Sequence, residues 1–192
     1  MATLLYIHGF NSSPQSLKAQ QTRSWLTAEH PEIAFRCPFL SPYPELAMAE
    51  LEAELATLAD PVYLVGSSMG GFYATWLAAR RSARAALVNP AVRPWLGRDY
   101  LLGPQANHHT GAIAHIEQRH LDALRNWEVD PLPRPQDLLV LLQTGDELLD
   151  YRLAEDKYRA CRLVVEPGGD HGFRGFERHL PTIYEFFTAV AQ

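Results

Sequence analysis

Short apolar runs alternate along most of the chain with longer segments in which apolar residues recur at helical spacing. The runs lack polar alternation, which is typical of strands buried on both faces of a sheet. They occupy Thr3–Ile7, Ile33–Cys37, Val62–Val65, Ala85–Asn89, Asp137–Leu142 and Arg162–Val165. Helices are predicted at about Ser16–Glu29, Met48–Leu58, Met69–Arg80, Tyr151–Tyr158 and Leu180–Val190. This alternation predicts an α/β fold, with about six mostly parallel strands and helices on both faces.

One segment interrupts the alternation. From Ala91 to about Arg134 no strand-like run occurs, and a loop rich in Pro, Gly and His precedes a helical pattern. The apolar face of that predicted helix carries Ile113, Ile116, His120, Leu124 and Trp127. We therefore predict a single domain over residues 1–192, with residues 91–134 inserted as a small helical cap.

Composition and charge narrow the class of protein. The chain has 192 residues, a formal net charge of −5 and no cluster of Lys or Arg, which argues against a nucleic-acid partner. The N-terminus lacks the basic and apolar regions of a signal peptide, and no apolar run approaches the length of a membrane span. We expect a cytoplasmic protein without a membrane span.

The two cysteines, Cys37 and Cys161, fit a reducing compartment. Their strands are expected at opposite edges of the sheet, whereas a disulfide needs Cα atoms within about 7 Å. We therefore predict that both thiols are free.

The junction between the third apolar run and the next helix carries Gly66-Ser67-Ser68-Met69-Gly70. This is the G-x-S-x-G pattern of a nucleophile elbow, a sharp strand-to-helix turn that projects a serine hydroxyl clear of the sheet. The glycines avoid collisions between side chains and neighbouring backbone. The spacing identifies Ser68, and not Ser67, as the candidate nucleophile. The alternative interpretation is a glycine-rich structural turn.

A serine nucleophile needs a base that removes its proton and a carboxylate that orients the base. His171 lies in a glycine-flanked loop after the last predicted strand, and Asp146 follows the strand before it. Such loops meet at one edge of a parallel sheet. Glu147 and Asp150 are alternatives for the carboxylate, although capping of the next helix is a sufficient role for Asp150. The predicted catalytic residues are Ser68, Asp146 and His171.

The first strand ends in His8-Gly9, where glycine permits a close turn beside the elbow. The backbone N–H groups of Phe10 and Met69 are the predicted oxyanion hole, and His8 is expected to be structural. Four residues of the insertion are candidates for binding the acyl chain, with ordinary core packing as the equally weighted alternative. They are Trp95, Tyr100, Leu101 and Leu102.

Four blocks of sequence carry a further indication: Leu5–Pro14, Gly66–Phe72, Thr144–Glu147 and Gly169–His171. Together, in this order, they resemble the YqiA-like family of small bacterial esterases, within the α/β-hydrolases, over nearly the whole chain. The resemblance implies a reduced α/β-hydrolase sheet without the first antiparallel strands, and an esterase with Ser68, Asp146 and His171 as its triad. It also implies acyl thioesters as a further substrate class, and it does not identify the physiological substrate.

The predicted function is hydrolysis of carboxylic acyl esters by a serine esterase through an acyl-enzyme intermediate. The alternatives are a thioesterase with the same triad, acting on acyl-CoA or another thioester, and a non-catalytic module that binds a ligand or a protein. The expected partner is a small-molecule ester or thioester. No cofactor and no metal are predicted, because the sequence has neither the spacing of a metal site nor a phosphate-binding glycine loop.

Overall fold

A computed structural model describes residues 2–189. Its strands are β1 Thr3–Ile7, β2 Ala34–Arg36, β3 Val62–Ser67, β4 Arg84–Val88, β5 Gly103–Ala106, β6 Ile113–Ile116, β7 Leu138–Gln143 and β8 Arg162–Glu166. Its α-helices are α1 Leu17–Glu29, α2 Pro44–Ala56, α3 Met69–Arg81, α4 Gln118–Ala123, α5 Tyr151–Lys157 and α6 Leu180–Thr188. The end predicted for the last helix, Val190, lies outside the described residues.

Six of the strands form one sheet in the order β2-β1-β3-β4-β7-β8, and every neighbouring pair is parallel. The predicted parallel sheet is confirmed. Because the strands are parallel, the loops after β1, β3, β4, β7 and β8 all emerge at the same edge of the sheet. This edge, where the strands reach their carboxyl ends, is called the rim below.

The core lies on both faces of the sheet, because successive side chains of a strand point to opposite faces. Leu5 and Ile7 of β1 join the cluster formed with α2, α3 and α5. Leu4 and Tyr6 join the opposite cluster, formed with α1 and α6. Burial on both faces explains why these strands are apolar throughout and why the hydrophobic pattern predicted them well.

The insertion differs from its prediction. Residues 103–106 and 113–116 pair as an antiparallel hairpin, so Ile113 and Ile116 lie in a strand and the helix predicted over them is wrong there. Helix α4 covers only Gln118–Ala123. The hairpin was missed because Gly103 and Pro104 are poor strand formers, and because Ile113 is 70% exposed and marks no buried face.

The two cysteines flank the edge strands, Cys37 just after β2 and Cys161 just before β8, and both are free. The predicted absence of a disulfide between them is confirmed. Partial burial raises the pKa of Cys37 to about 12 and that of Cys161 to about 11, so neither is an activated thiol.

Within residues 2–189, none of the helices combines the length and the apolar character that crossing a membrane requires.

Candidate active site

The turn between β3 and α3 has the geometry expected of a nucleophile elbow. Ser68 is held at φ 57° and ψ −120°, a conformation that non-glycine residues rarely adopt. Its N–H donates to the carbonyl of Val88 at 3.0 Å, and its own carbonyl accepts the N–H of Ala91 at 3.0 Å. The strained serine is therefore held from β4 and from the loop that follows β4.

The two glycines of the motif are required by contacts between backbone segments. A Cβ at Gly66 would collide with the carbonyl of Gly70, and a Cβ at Gly70 would collide with the carbonyls of Ile7 and His8. The helix can begin this close to β1 and β3 only because both positions lack side chains. The spacing of the motif thus follows from the tight packing of α3 on the sheet.

The structure brings Ser68, His171 and Asp146 together at the rim. The Nε2 atom of His171 lies 3.0 Å from Oγ of Ser68, and its Nδ1 atom lies 2.8 Å and 3.0 Å from the two carboxylate oxygens of Asp146. An ionised carboxylate only accepts hydrogen bonds, so Nδ1 carries the proton and the Nε2 lone pair faces the serine hydroxyl. This arrangement can draw a proton from Ser68.

Asp146 is fixed by its own loop. Its side chain is 2% exposed, and Oδ1 accepts the N–H groups of Leu148 and Leu149 at 2.9 Å and 2.8 Å. The rival Asp150 instead caps α5 by accepting the N–H of Arg152 at 3.1 Å. Glu147 also lies at the rim, where its carboxylate accepts the backbone N–H of His171 at 2.9 Å.

Two buried amide side chains, which are not among the candidates predicted from the sequence, hold the loop that carries His171. Oε1 of Gln143 accepts the N–H groups of Asp170 and Arg174 at 3.2 Å and 2.9 Å. Nδ2 of Asn89 donates to the carbonyls of Asp170 and His171 at 3.1 Å and 3.3 Å, while its Oδ1 accepts the N–H of Gln143 at 3.0 Å. The available signal was an amide at the end of each of two apolar strands, β4 and β7.

The predicted oxyanion donors lie beside the serine. In residues 2–189, neither the N–H of Phe10 nor that of Met69 is engaged in a hydrogen bond, and both residues line the cavity in front of Ser68. A Cβ at Gly9 would lie 3.3 Å from Cβ of Ser68, so glycine lets the loop after β1 approach the nucleophile.

His8 has a structural position, in agreement with the expectation. Its Nε2 accepts the N–H of Leu40 at 3.1 Å, and Nδ1 donates to the carbonyl of Gly9 at 2.9 Å. Burial lowers the pKa of His8, because a low-dielectric environment disfavours the imidazolium. The neutral ring therefore fixes the turn that carries Phe10.

A cavity of about 270 Å³ opens over Ser68 and His171. Of the four candidates for acyl binding, it is lined by Tyr100 and Leu101 and not by Trp95 or Leu102. Trp95 is 7% exposed and packs edge-on against Phe72, with ring centroids 6.1 Å apart. Leu102 packs against the same core, so core packing, the alternative to the predicted pocket role, accounts for both residues.

Several polar residues of this cavity were not singled out from the sequence. They are Tyr6, Ser12, Ser16, Lys18, Arg98 and His108. Among residues 2–189, no group of three or more His, Cys, Asp and Glu side chains is arranged to hold a metal ion.

The family model of an uncharacterised protein family, UPF0227, matches the sequence over residues 3–188. This is the YqiA-like family that the four sequence blocks resemble.

Solved structures share the fold over nearly the whole chain. Est1E from Butyrivibrio proteoclasticus is 18% identical with a TM-score of 0.71, and the match covers 96% of this chain and 86% of Est1E. The alpha/beta hydrolase domain-containing protein 10 from mouse is 17% identical with a TM-score of 0.74, covering 95% and 88%. A structure from the study of LipS and LipT, two metagenome-derived lipolytic enzymes, is 18% identical with a TM-score of 0.68, covering 97% and 93%. At these identities the likeness shows the α/β-hydrolase fold.

Proposed function

Since the chain belongs to UPF0227, the YqiA-like family, we propose that it is a serine esterase that hydrolyses carboxylic acyl esters through Ser68, His171 and Asp146. The observation that carries the proposal is the unbroken chain of contacts from Oγ of Ser68 through the His171 ring to the buried carboxylate of Asp146. A structural turn would not require these contacts.

In the proposed acylation, Oγ of Ser68 attacks the ester carbonyl carbon while Nε2 of His171 takes its proton. The tetrahedral intermediate places its negative oxygen near the free N–H groups of Phe10 and Met69, which stabilise it. The C–O bond to the alcohol then breaks, and Nε2 of His171 returns the proton to the departing oxygen. Asp146 stays ionised and stabilises the imidazolium throughout.

In the proposed deacylation, a water molecule replaces the alcohol. His171 removes one proton from the water and the oxygen attacks the acyl-enzyme carbonyl. The bond to Oγ of Ser68 then breaks as Nε2 of His171 returns the proton to Oγ. The products are a carboxylic acid and the regenerated serine. No group outside the chain is consumed apart from the ester and the water.

Two further observations support catalysis over simple ligand binding. The strained backbone of Ser68 costs on the order of 1–3 kcal/mol, and such strain is found mainly at functional sites. The fold neighbours include a mouse protein named for a hydrolase domain and a structure from a study of lipolytic enzymes. A non-catalytic module would gain nothing from that strain.

The test is turnover of short-chain para-nitrophenyl esters and of the matching acyl thioesters by the wild-type protein and by Ser68→Ala. We expect ester hydrolysis by the wild type and a fall of at least about 10³-fold in Ser68→Ala, with folding unchanged. Turnover confined to thioesters would assign the site to a thioesterase. Ester turnover that survives in Ser68→Ala would contradict the proposed nucleophile.

We propose that the enzyme works in the cytoplasm. Its two cysteines are both unpaired, which fits a compartment that keeps thiols reduced.

A further inference from the structure

The charge of the active-site cavity is opposite to that of the chain. The chain carries a formal net charge of −5, yet the cavity is lined by Lys18 and Arg98 and, within residues 2–189, by no Asp or Glu. The catalytic Asp146 stands behind His171, away from the cavity surface. A cavity with cationic walls attracts anions and concentrates them.

The lining of this cavity includes two buried hydroxyls, those of Tyr6 and Ser16, that lack partners among the described residues. Lys18 lines the cavity as well, and these three residues are called the Lys18 recess below. Tyr6 is 1% exposed, and its hydroxyl makes no hydrogen bond within residues 2–189. Burial raises the pKa of Tyr6 and the neighbouring Ser67 hydroxyl opposes that rise, so the phenol stays a neutral donor. Buried hydroxyls without partners are rare in folded proteins.

Ser16 adds a second donor of the same kind. It is the N-cap residue of α1, where a serine ordinarily accepts an N–H from the first turn of the helix. Here its Oγ is buried and, in the described part of the chain, has no partner. Lys18, two positions on, donates one N–H to the carbonyl of Gly172 at 2.8 Å, which leaves two of its donors available. Because Ser16 is the N-cap of α1 and lines the cavity, the positive end of that helix lies at the cavity wall.

We propose that the physiological substrate of Ser68 is an ester that carries a carboxylate near its scissile bond, and that Lys18, Tyr6 and Ser16 bind this carboxylate. The inference rests on the proposed esterase function. One cation and two hydroxyl donors match the two oxygens of a carboxylate, and a charge-assisted hydrogen bond is the strongest of such contacts. The cavity volume of about 270 Å³ lies just below the range of roughly 300–1,000 Å³ for drug-sized ligands, so the substrate is small.

The test compares esters that differ only in a carboxylate. On the acyl side, para-nitrophenyl hydrogen adipate is compared with para-nitrophenyl hexanoate; on the alcohol side, meta-carboxyphenyl butyrate is compared with phenyl butyrate. For each pair, the ratio of the two kcat/KM values is measured in wild type, Lys18→Met and Tyr6→Phe. The change of this ratio between variants cancels the intrinsic reactivity of each ester.

In one of the two pairs we expect the wild type to prefer the carboxylate ester by about 10- to 100-fold. Lys18→Met should reduce that preference about tenfold or more, and Tyr6→Phe should reduce it severalfold. Because the phenol has no partner in the free protein, Tyr6→Phe breaks no hydrogen bond and keeps the experiment informative if Lys18→Met does not fold. The pair that shows the effect identifies the side of the ester that bears the carboxylate.

Lys157→Met is the matched control. Lys157 is also a partly buried lysine that donates to a backbone carbonyl, that of Val129 at 2.9 Å, but it does not line the cavity. Lys157→Met should leave the preference unchanged.

Equal losses of kcat/KM on both esters of a pair in Lys18→Met would mean that Lys18 only tethers the loop at Gly172, and the inference would be wrong. If the wild type hydrolyses the neutral and the carboxylate esters equally well, the inference is wrong and the proposed esterase function is unaffected. If it hydrolyses neither kind of ester, both the inference and the proposed esterase function are wrong.

Discussion

The rim and the insertion are built in different ways. At the rim, the loop that carries His171 is tied to the ends of β4 and β7 by the buried amide side chains of Asn89 and Gln143. The insertion of residues 91–134 contacts the rim through backbone carbonyls instead: the His108 N–H donates to the Asn11 carbonyl at 2.9 Å, and Nδ2 of Asn107 donates to the Ser12 carbonyl at 2.9 Å. From this difference we infer that the residues of the rim determine the reaction, and that the insertion determines which substrates fit in front of them. Substitutions at the rim should therefore change rates strongly, and those in the insertion should change selectivity mildly.

Among the substitutions that test this contrast, Asp146→Asn should reduce turnover the most. The substitution keeps the shape but removes the charge and permits the wrong tautomer of His171, so turnover should fall by about 10²–10⁴-fold, by analogy with the serine-protease case. Ester turnover and thermal unfolding measure the two consequences separately. The control Asp150→Asn keeps an oxygen that can cap α5 and removes only the negative charge at the start of the helix, at a cost of about 0.3–1 kcal/mol of stability. Loss of turnover in Asp150→Asn with activity retained in Asp146→Asn would reverse the assignment.

The next largest effect is expected at Gln143, which positions His171 without contacting the substrate. Gln143→Leu leaves the N–H groups of Asp170 and Arg174 without their acceptor, so kcat should fall about 10- to 100-fold at an unchanged KM. Stability should fall by about 1–3 kcal/mol. The matched change in the insertion is Gln105→Leu, which removes only the contact to the Tyr100 carbonyl at 3.1 Å and should shift stability by less than about 0.5 kcal/mol. Similar losses of kcat in both variants would remove the contrast between the two regions.

A smaller effect should appear in the pH dependence of the preference for carboxylate esters. Burial lowers the pKa of Lys18 to about 8, with Asp170 and Asp146 opposing the shift. The lysine is a cation below that pH, so the preference in kcat/KM should be present below pH 8 and should decline as the pH rises through it. Tyr6 stays neutral over this range because burial raises its pKa. A preference that is constant to pH 10 would exclude Lys18 as its source.

The smallest effect is expected at Tyr100, which lines the cavity and is 58% exposed. Tyr100→Ala should change the relative kcat/KM values across acyl chain lengths by about two- to fivefold, at a stability cost below about 0.5 kcal/mol. Trp95→Ala should instead lower stability by about 3–5 kcal/mol, because it removes a core side chain, and should leave the dependence on acyl chain length unchanged. A chain-length profile that changes in Trp95→Ala but not in Tyr100→Ala would show that Trp95 contacts the acyl chain.

The sequence predicted the fold well wherever both faces of an element are buried. The strands of the sheet and the helix after the elbow have strong apolar patterns, and the glycines at positions 66 and 70 reflect backbone collisions that any side chain would cause. The hairpin formed by β5 and β6 has no such pattern, because one of its faces is exposed and its first strand begins with Gly103 and Pro104.

The contents of the site were predictable only in part. The G-x-S-x-G motif and the order serine, aspartate, histidine along the chain made Ser68, Asp146 and His171 candidates. The structure places them in contact. The roles of Asn89, Gln143 and Lys18 depend on hydrogen bonds between residues far apart in sequence, which one sequence does not reveal.

The central claim is that Ser68 is an activated nucleophile, and the site of covalent attachment tests it most directly. The wild-type protein is treated with a fluorophosphonate probe, digested, and mapped by mass spectrometry, with Ser68→Ala and Ser67→Ala treated in parallel. We expect a single adduct on Ser68, retained in Ser67→Ala and lost in Ser68→Ala. An adduct on Ser67, or no adduct on a folded protein, would contradict this claim.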